Sequence, residues 1–196
     1  MTVEPTGRDR LLTAAIGYFA EEGIADTSLR ALAARIGTSH RMLLYHFGSR
    51  EGLLSAVVGV VEAAQRETLS RLTAAPDGDP TEQARAFWRE VTGAARTYGP
   101  LFFELAGHAM QGLPHAARLR ADLIEPWLDP LAALAERAGV EPARARTGAR
   151  LQLAVARGLL LDRLISGDRA GVDAAMELFI SWFVAGTLGR DADRDH

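Results

Sequence analysis

The sequence predicts an all-α protein, and three observations carry that prediction. Apolar residues recur at spacings of three and four along most of the chain, and small polar residues stand before several of these runs where a helix needs an N-cap. No stretch shows the alternation of apolar and polar residues expected of a half-buried strand. At 196 residues, 48% of them hydrophobic, with a mean hydropathy of zero, the chain fits one large domain or two small ones. A core of that size needs no disulfide or structural metal.

The elements follow in order. Leu12, Ala15, Ile16 and Phe19 mark a first helix that Gly23 stops, and Leu29, Leu32, Ala33 and Ile36 mark a second, with Thr27 and Ser28 as candidate caps and Gly37 as its end. Ser39 caps a third helix reaching Phe47, and Ser49 caps a fourth from Arg50 to about Ala75. The segment Ala75-Pro76-Asp77-Gly78-Asp79-Pro80 reads as a loop. A helix is predicted over Thr81–Tyr98, punctuated by Gly99-Pro100, then shorter pieces over Leu101–Met110 and Pro114–Gly139, the latter broken or kinked at Pro126 and Pro130. Two strong helices, about Ala143–Ile165 and Ala170–Leu188, flank Ser166-Gly167-Asp168. The expected organisation is a compact three-helix head over residues 1–50 and a larger helical body over 51–196.

Composition excludes several classes. With no cysteine, thiol catalysis, disulfides and cysteine zinc sites are out. A net charge of -3 and a pI near 6.0 exclude a globally basic nucleic-acid coat. All 22 basic residues are Arg, and the absence of Lys and Asn reads as base composition of the source genome. Met1–Arg10 lacks the apolar core of a signal peptide, and Leu11–Ala20 and Leu178–Gly189 fall short of the roughly 20 residues that cross a bilayer, so a soluble cytoplasmic protein is expected. There is no Gly-x-Ser-x-Gly, no phosphate-binding Gly-rich loop and no His-Glu-x-x-His, so neither catalytic residues nor a cofactor are expected. The five histidines are scattered at 40, 46, 108, 115 and 196. His108 and His115 stand two turns apart, but Pro114 interrupts that helix, and no metal site is predicted.

The informative window is Thr27–Arg50. It holds Arg30, Arg35, Arg41 and Arg50 without one Asp or Glu, a local basic patch in an acidic chain. A helix-turn-helix needs a small residue where its helices cross, a left-handed turn residue four positions on, and an aliphatic six further. Ala33, Gly37 and Leu43 meet that spacing, which leaves Ser39, His40, Arg41 and Met42 at the end of the second helix that enters a major groove.

Residues 10–54 resemble the DNA-binding head of the tetracycline-repressor (TetR) family. The resemblance rests on Tyr18-Phe19-Ala20-Glu21-Glu22-Gly23, Thr27-Ser28-Leu29-Arg30-Ala31-Leu32-Ala33, Gly37-Thr38-Ser39, Leu43-Leu44-Tyr45-His46-Phe47 and Ser49-Arg50-Glu51-Gly52-Leu53-Leu54. It implies that Ser28 caps its helix and meets a phosphate, that Arg30 touches a phosphate or base edge, and that Ser39, His40, Arg41 and Met42 face the groove. It also implies phosphate contacts from Tyr45 and His46 and a basic cap at Arg50, where Lys is more usual. Thr38 replaces a usual Val and adds a hydroxyl. Leu44 replaces an aromatic that supplies a hydroxyl, leaving Tyr45 to provide it. Structural readings stand beside these: Leu43 and Phe47 as core, His46 as a helix C-terminal imidazole, Arg35 on a solvated face. Arg41 is the candidate for a bidentate contact to guanine.

In the body, the last helix is apolar on two faces, Ala175, Leu178, Phe179, Trp182 and Gly186 against Met176, Ile180, Phe183 and Val184. The helix before it has Leu153, Leu160 and Leu164 on one side and Leu151, Val155 and Leu159 on the other, with Gly158 permitting close approach. Either both are central helices of one core, or a second copy covers the outer faces. The family resemblance implies the latter, a four-helix bundle homodimer, with Leu151, Val155, Leu159, Phe179, Trp182 and Phe183 as expected interface. Trp88, Phe102, Phe103, His108, Met110 and Trp127 form the expected lining of a small-molecule pocket, although the same side chains suit a helical core. The reading that follows is a ligand-responsive transcriptional regulator: a repressor that binds palindromic double-stranded DNA as a homodimer and is released by a small apolar effector. Its rival is a helical small-molecule receptor or interaction module with weak or lost DNA binding, to which Leu44 lends support.

Overall fold

A computed structural model describes residues 6–22, 27–74 and 78–188, with side chains as far as Phe183. Gly23 as a helix stop, Ala75–Asp77 of the loop, the side chain of Val184, Gly186 as a packing position, and His196 lie outside the described residues. The elements are α1 (Gly7–Glu22), α2 (Leu29–Arg35), α3 (His40–Phe47), α4 (Arg50–Thr73), α5 (Pro80–Met110), a 3-10 turn (Pro114–Ala116), α6 (Ala117–Asp122), α7 (Glu125–Arg137), α8 (Pro142–Ser166) and α9 (Arg169–Leu188). No strand occurs among the described residues, and no helix among them is long and apolar enough to cross a membrane.

The chain divides into two compact units, one of residues 1–62 with 100–122 and one of 63–99 with 123–196. The first therefore holds the head and also the end of α5, the 3-10 turn and α6. Its helices begin where local chemistry satisfies their free N–H groups. Thr6 and Asp9 form a reciprocal cap at α1: the Asp9 backbone N–H donates to Thr6 Oγ1 at 3.2 Å, while Thr6 N donates to Asp9 Oδ2 at 3.1 Å. The Thr6 hydroxyl, which donates to Asp9 Oδ2 at 2.7 Å, and then the Thr6 backbone N–H hold the Asp9 carboxyl below its ordinary range. Leu12, Ala15 and Phe19 of α1, Leu29, Leu32 and Ala33 of α2, and Leu43 of α3 are buried, which is the apolar face that the three- and four-residue spacing predicts.

In the second unit, α7 and α8 pack along their length. Leu69, Trp127, Leu128, Leu131, Leu134, Ala149 and Leu153 make one core cluster. Trp88, Val172, Met176 and Ile180 make another, with Ala156, Leu159 and Phe179 packed against it. Arg137 donates to the carbonyls of Thr73 and, at 2.8 Å, of Gly78, tying together the two ends of the connection between α4 and α5.

Two expectations are corrected. Gly99-Pro100 does not end a helix: α5 runs through it. A proline inside a helix costs about 3 kcal/mol, and burial of Ala95, Leu101, Phe102 and Leu105 on either side outweighs that. Gly99 serves packing instead, since a Cβ there would lie 2.7 Å from Leu164 Cδ1 of α8. The stretch Pro114–Gly139 is three elements rather than one broken helix; Pro126 sits in the first turn of α7, where its missing N–H is harmless, and Pro130 lies inside α7 without ending it. A Cβ added to Gly158 would meet nothing within 4 Å among the described residues, which leaves room for a close approach, whereas one added to Gly148 would lie 3.2 Å from Phe183 Cζ.

A candidate nucleic-acid interface

The helix-turn-helix is built by the residues that its spacing singles out. Ala33 and Leu43 are 2% and 0% exposed, and Gly37 turns the chain at φ 71°, a left-handed conformation that glycine adopts at little cost. The backbone N–H of Thr38 donates to the Ala33 carbonyl at 2.9 Å and that of Ile36 to Leu32 at 3.0 Å, which closes the end of α2. Ser28 Oγ then accepts from Ala31 N at 3.2 Å, and Ser39 Oγ from Met42 N at 3.1 Å. Both hydroxyls thus cap their helices, with extended backbone at each cap.

The outward face follows from that frame. Ser28, Arg30, Ser39, Arg41, Met42, Leu44 and Tyr45 are exposed, while Thr38, His40, His46 and Arg50 are half-buried. Tyr45 is 79% exposed, so its hydroxyl is free to reach outward on the same side of α3 as Arg41, four residues earlier. Leu44, at 38%, presents only carbon. His46 packs edge-on against Tyr45 and Phe47, with ring centroids at 5.0 and 6.3 Å. Arg8 lies over the Phe47 ring at 5.1 Å.

Two arginines of the window make contacts within the protein, Arg35 while remaining on the solvated face expected of it. Arg35 Nη2 pairs with Glu22 Oε1 at 2.8 Å, so one of the four charges is already answered by α1. Arg50 Nε donates to the Thr27 carbonyl at 3.2 Å, a part-buried bond between the start of α4 and the entry to α2. No sequence signal pointed to that bond. Sequence reasoning also passed over the junction after α3. Gly48 adopts φ 75°, and a Cβ on Gly52 would collide with the Phe47 carbonyl oxygen. Ser49 Oγ accepts from Gly52 N at 3.0 Å, as its predicted capping role requires. The Glu51 carboxyl is held below its ordinary range, first by its backbone hydrogen bond, against a desolvation that raises it, and further by the Ser49 hydroxyl, His115 and Arg50.

The body residues separate. Trp88 and Trp127 lie in the second unit, in different core clusters, whereas Phe102, Phe103, His108 and Met110 lie in the first unit. Met110 is 83% exposed, so it stands in no enclosed lining. Contrary to the separation expected from Pro114, His115 Nε2 approaches His108 Nδ1 at 3.1 Å, because the 3-10 turn folds the chain back. No group of three or more His, Asp or Glu able to hold a metal occurs among the described residues. Of the expected interface residues, Leu151 and Trp182 are exposed, Val155 and Phe183 half-buried, and Leu159 and Phe179 pack inward against the Trp88 cluster. Leu161, Ile165 and Leu178 are exposed as well.

A two-helix reader with an acid-free, outward-facing second helix is the architecture of a DNA-binding regulator's head. Residues 11–57 match the family model for bacterial regulatory proteins of the tetR family. The chain is 28% identical over 124 residues to the HTH-type transcriptional regulator BetI of Stenotrophomonas maltophilia, covering 60% of this chain and 61% of that protein. It is 32% identical over 127 residues to the transcriptional regulatory protein RaaS of Mycobacterium tuberculosis, covering 63% and 56%. The chain thus spans about 61% of the length of the first and 56% of the second. The crystal structure of a TetR transcriptional regulator from Legionella pneumophila shares the fold over 92% of this chain and 98% of that one, with a TM-score of 0.67 at 21% identity. Over residues 11–57, then, the chain is similar to the DNA-binding head of the tetR family, and its helical fold is one that a TetR regulator shares.

Proposed function

We propose that this protein is a sequence-specific transcriptional regulator that binds a palindromic operator as a homodimer and releases it when a small molecule occupies the body. One observation carries the DNA-binding part. The helix α3 has no acidic residue, is capped by Ser39 behind the left-handed Gly37, and exposes Arg41, Met42 and Tyr45 together. A helix presented in this way places polar side chains on base edges and its flanks on phosphates. Arg41 is the base reader, by bidentate donation to guanine; Ser28, Arg30, Thr38, Ser39, Tyr45, His46 and Arg50 are the positioning contacts, with His40 and Met42 beside Arg41 in the groove. The head of residues 1–50 does the reading, and the body of 51–196 pairs two copies and receives the effector. Such a regulator works in the cytoplasm, has no catalytic step and acts by repression, as its family commonly does.

The decisive experiment uses the full chain and a duplex taken from the sequence beside its own gene. Retardation of that duplex at low salt, persisting against an excess of random DNA, is the expected result. Equal retention of the random duplex, or none of either, refutes the proposal and leaves the receptor reading, in which Leu44 marks a head that no longer grips phosphate.

A further inference from the structure

Within the second unit, an open cavity of about 620 Å³ lies between α5 and the corner where α8 gives way to α9. Its charge is one-sided. Arg89, Arg96, Arg163 and Arg169 line it against a single carboxylate, Asp173, with Thr92 on the same face of α5. That carboxylate is already engaged: Asp173 Oδ1 accepts from Arg163 Nη1 at 2.9 Å and from Trp88 Nε1 at 2.9 Å. Arg163 is therefore pinned, its side chain only 17% exposed, and it forms the rigid floor of the site. Arg89, Arg96 and Arg169 have no carboxylate partner among the described residues and are exposed.

Several other arginines of the body, by contrast, are answered by carboxylates. Arg85 pairs with Glu82 and Glu177, and Arg146 and Arg150 with Glu125 and Asp129. In a chain of net charge -3, three guanidinium groups without a carboxylate partner line one concavity and make it locally positive. Arg89 and Arg96 are seven residues apart on α5, about 10 Å along the axis, a spacing that suits a molecule with more than one anionic group. A cavity of this size holds a metabolite-sized molecule.

We propose that this groove binds a small polyanion, an organic molecule carrying two or more carboxylate or phosphate groups that bridge Arg89, Arg96 and Arg169. Guanidinium takes both oxyanions bidentately. The site names an anionic class of effector for the regulator proposed above. Its existence does not depend on that regulator's DNA binding.

The test is calorimetric titration of the full chain, without DNA, using citrate as the carboxylate probe and pyrophosphate as the phosphate probe at constant ionic strength set with chloride. Saturable binding of at least one probe at one site per chain is expected, and the stronger probe identifies the oxyanion. Arg96→Gln and Arg89→Gln are each expected to weaken it about tenfold while leaving the thermal midpoint of the unliganded protein unchanged. Arg118→Gln, on α6 and 88% exposed, is expected to bind as the parent does. Unsaturable heats from both probes overturn the proposal, as does equal weakening by Arg118→Gln, which means only diffuse charge attraction. Loss of duplex retention in Arg96→Gln without any change in probe binding also overturns it, by assigning the groove to nucleic acid.

Discussion

At the start of α4, Arg50 donates its Nε to the Thr27 carbonyl, so the side chain proposed to meet a phosphate also helps to hold the head together. The two demands have different readouts. Replacing Arg50 by Ala removes one part-buried hydrogen bond, which lowers stability by about 1 kcal/mol, and removes one phosphate contact, which lowers the salt slope of duplex binding by about 1 for every sequence alike. Arg41, exposed and with no hydrogen bond or ion pair among the described residues, is proposed to serve DNA alone. Arg41→Ala is expected to leave the thermal midpoint unchanged and to relax preference at one base position by about 1–3 kcal/mol. Binding measured across single-base operator variants and a salt series decides both, and an Arg41→Ala that weakens all duplexes equally refutes its reading role. The sequence made the type of these residues legible through the absence of acids. It hid the Arg50 bond to Thr27 and the Arg35 pair with Glu22, because both join positions that only the closed three-helix head brings together.

At the scale of elements, caps and spacing were readable because they are local: Ser28, Ser39 and Ser49 each bond the N–H three residues on, wherever the rest of the chain goes. Breakers were less readable because their effect is decided by neighbours. Pro100 sits inside α5 since packing on both sides of it holds the helix, and Gly99 beside it makes room for Leu164 rather than a turn. The junction between α3 and α4 shows the opposite case. Gly52 lies within a helix, where Ala is intrinsically better by about 1 kcal/mol, yet its missing side chain leaves space for the Phe47 carbonyl at the end of the recognition helix. Gly52→Ala is therefore expected to destabilise the protein by about 1–3 kcal/mol, as overpacking does, and to weaken operator binding by displacing α3. Gly17, exposed on α1 with open space around it, is the control: Gly17→Ala is expected to be neutral or slightly stabilising in the same melting experiment. If both substitutions stabilise, the tight junction at Phe47 has no energetic weight.

Over the whole molecule, the double apolar character of the last two helices was legible as a pattern, but which face turns inward was not, because both faces carry side chains of similar size. The Trp88 cluster takes Val172, Met176 and Ile180 and draws Leu159 and Phe179 against it. What is left outside is Leu151 (53% exposed), Leu161 (40%) and Ile165 (77%) on α8, with Leu178 (48%) and Trp182 (68%) on α9. On α8 these share a stripe with Ala154 and Gly158 at spacings of three and four, and a Cβ added to Gly158 would meet nothing within 4 Å among the described residues. A stripe of large apolar residues with a glycine at its centre suits close approach of a second α8 about a two-fold axis. We expect a dimer at micromolar concentration in sedimentation. Joint Leu178→Glu and Trp182→Glu substitution is expected to place unpaired carboxylates in that contact, each costing about 3 kcal/mol, or over a hundredfold in the dimer constant. Both side chains are exposed in the single chain, so the variant monomer keeps its helical content. Its operator binding is expected to fall towards the level of random DNA, because one head alone reads only half a palindrome. A parent protein that sediments as a monomer, or a double variant that remains dimeric, removes α8 and α9 as the assembly surface.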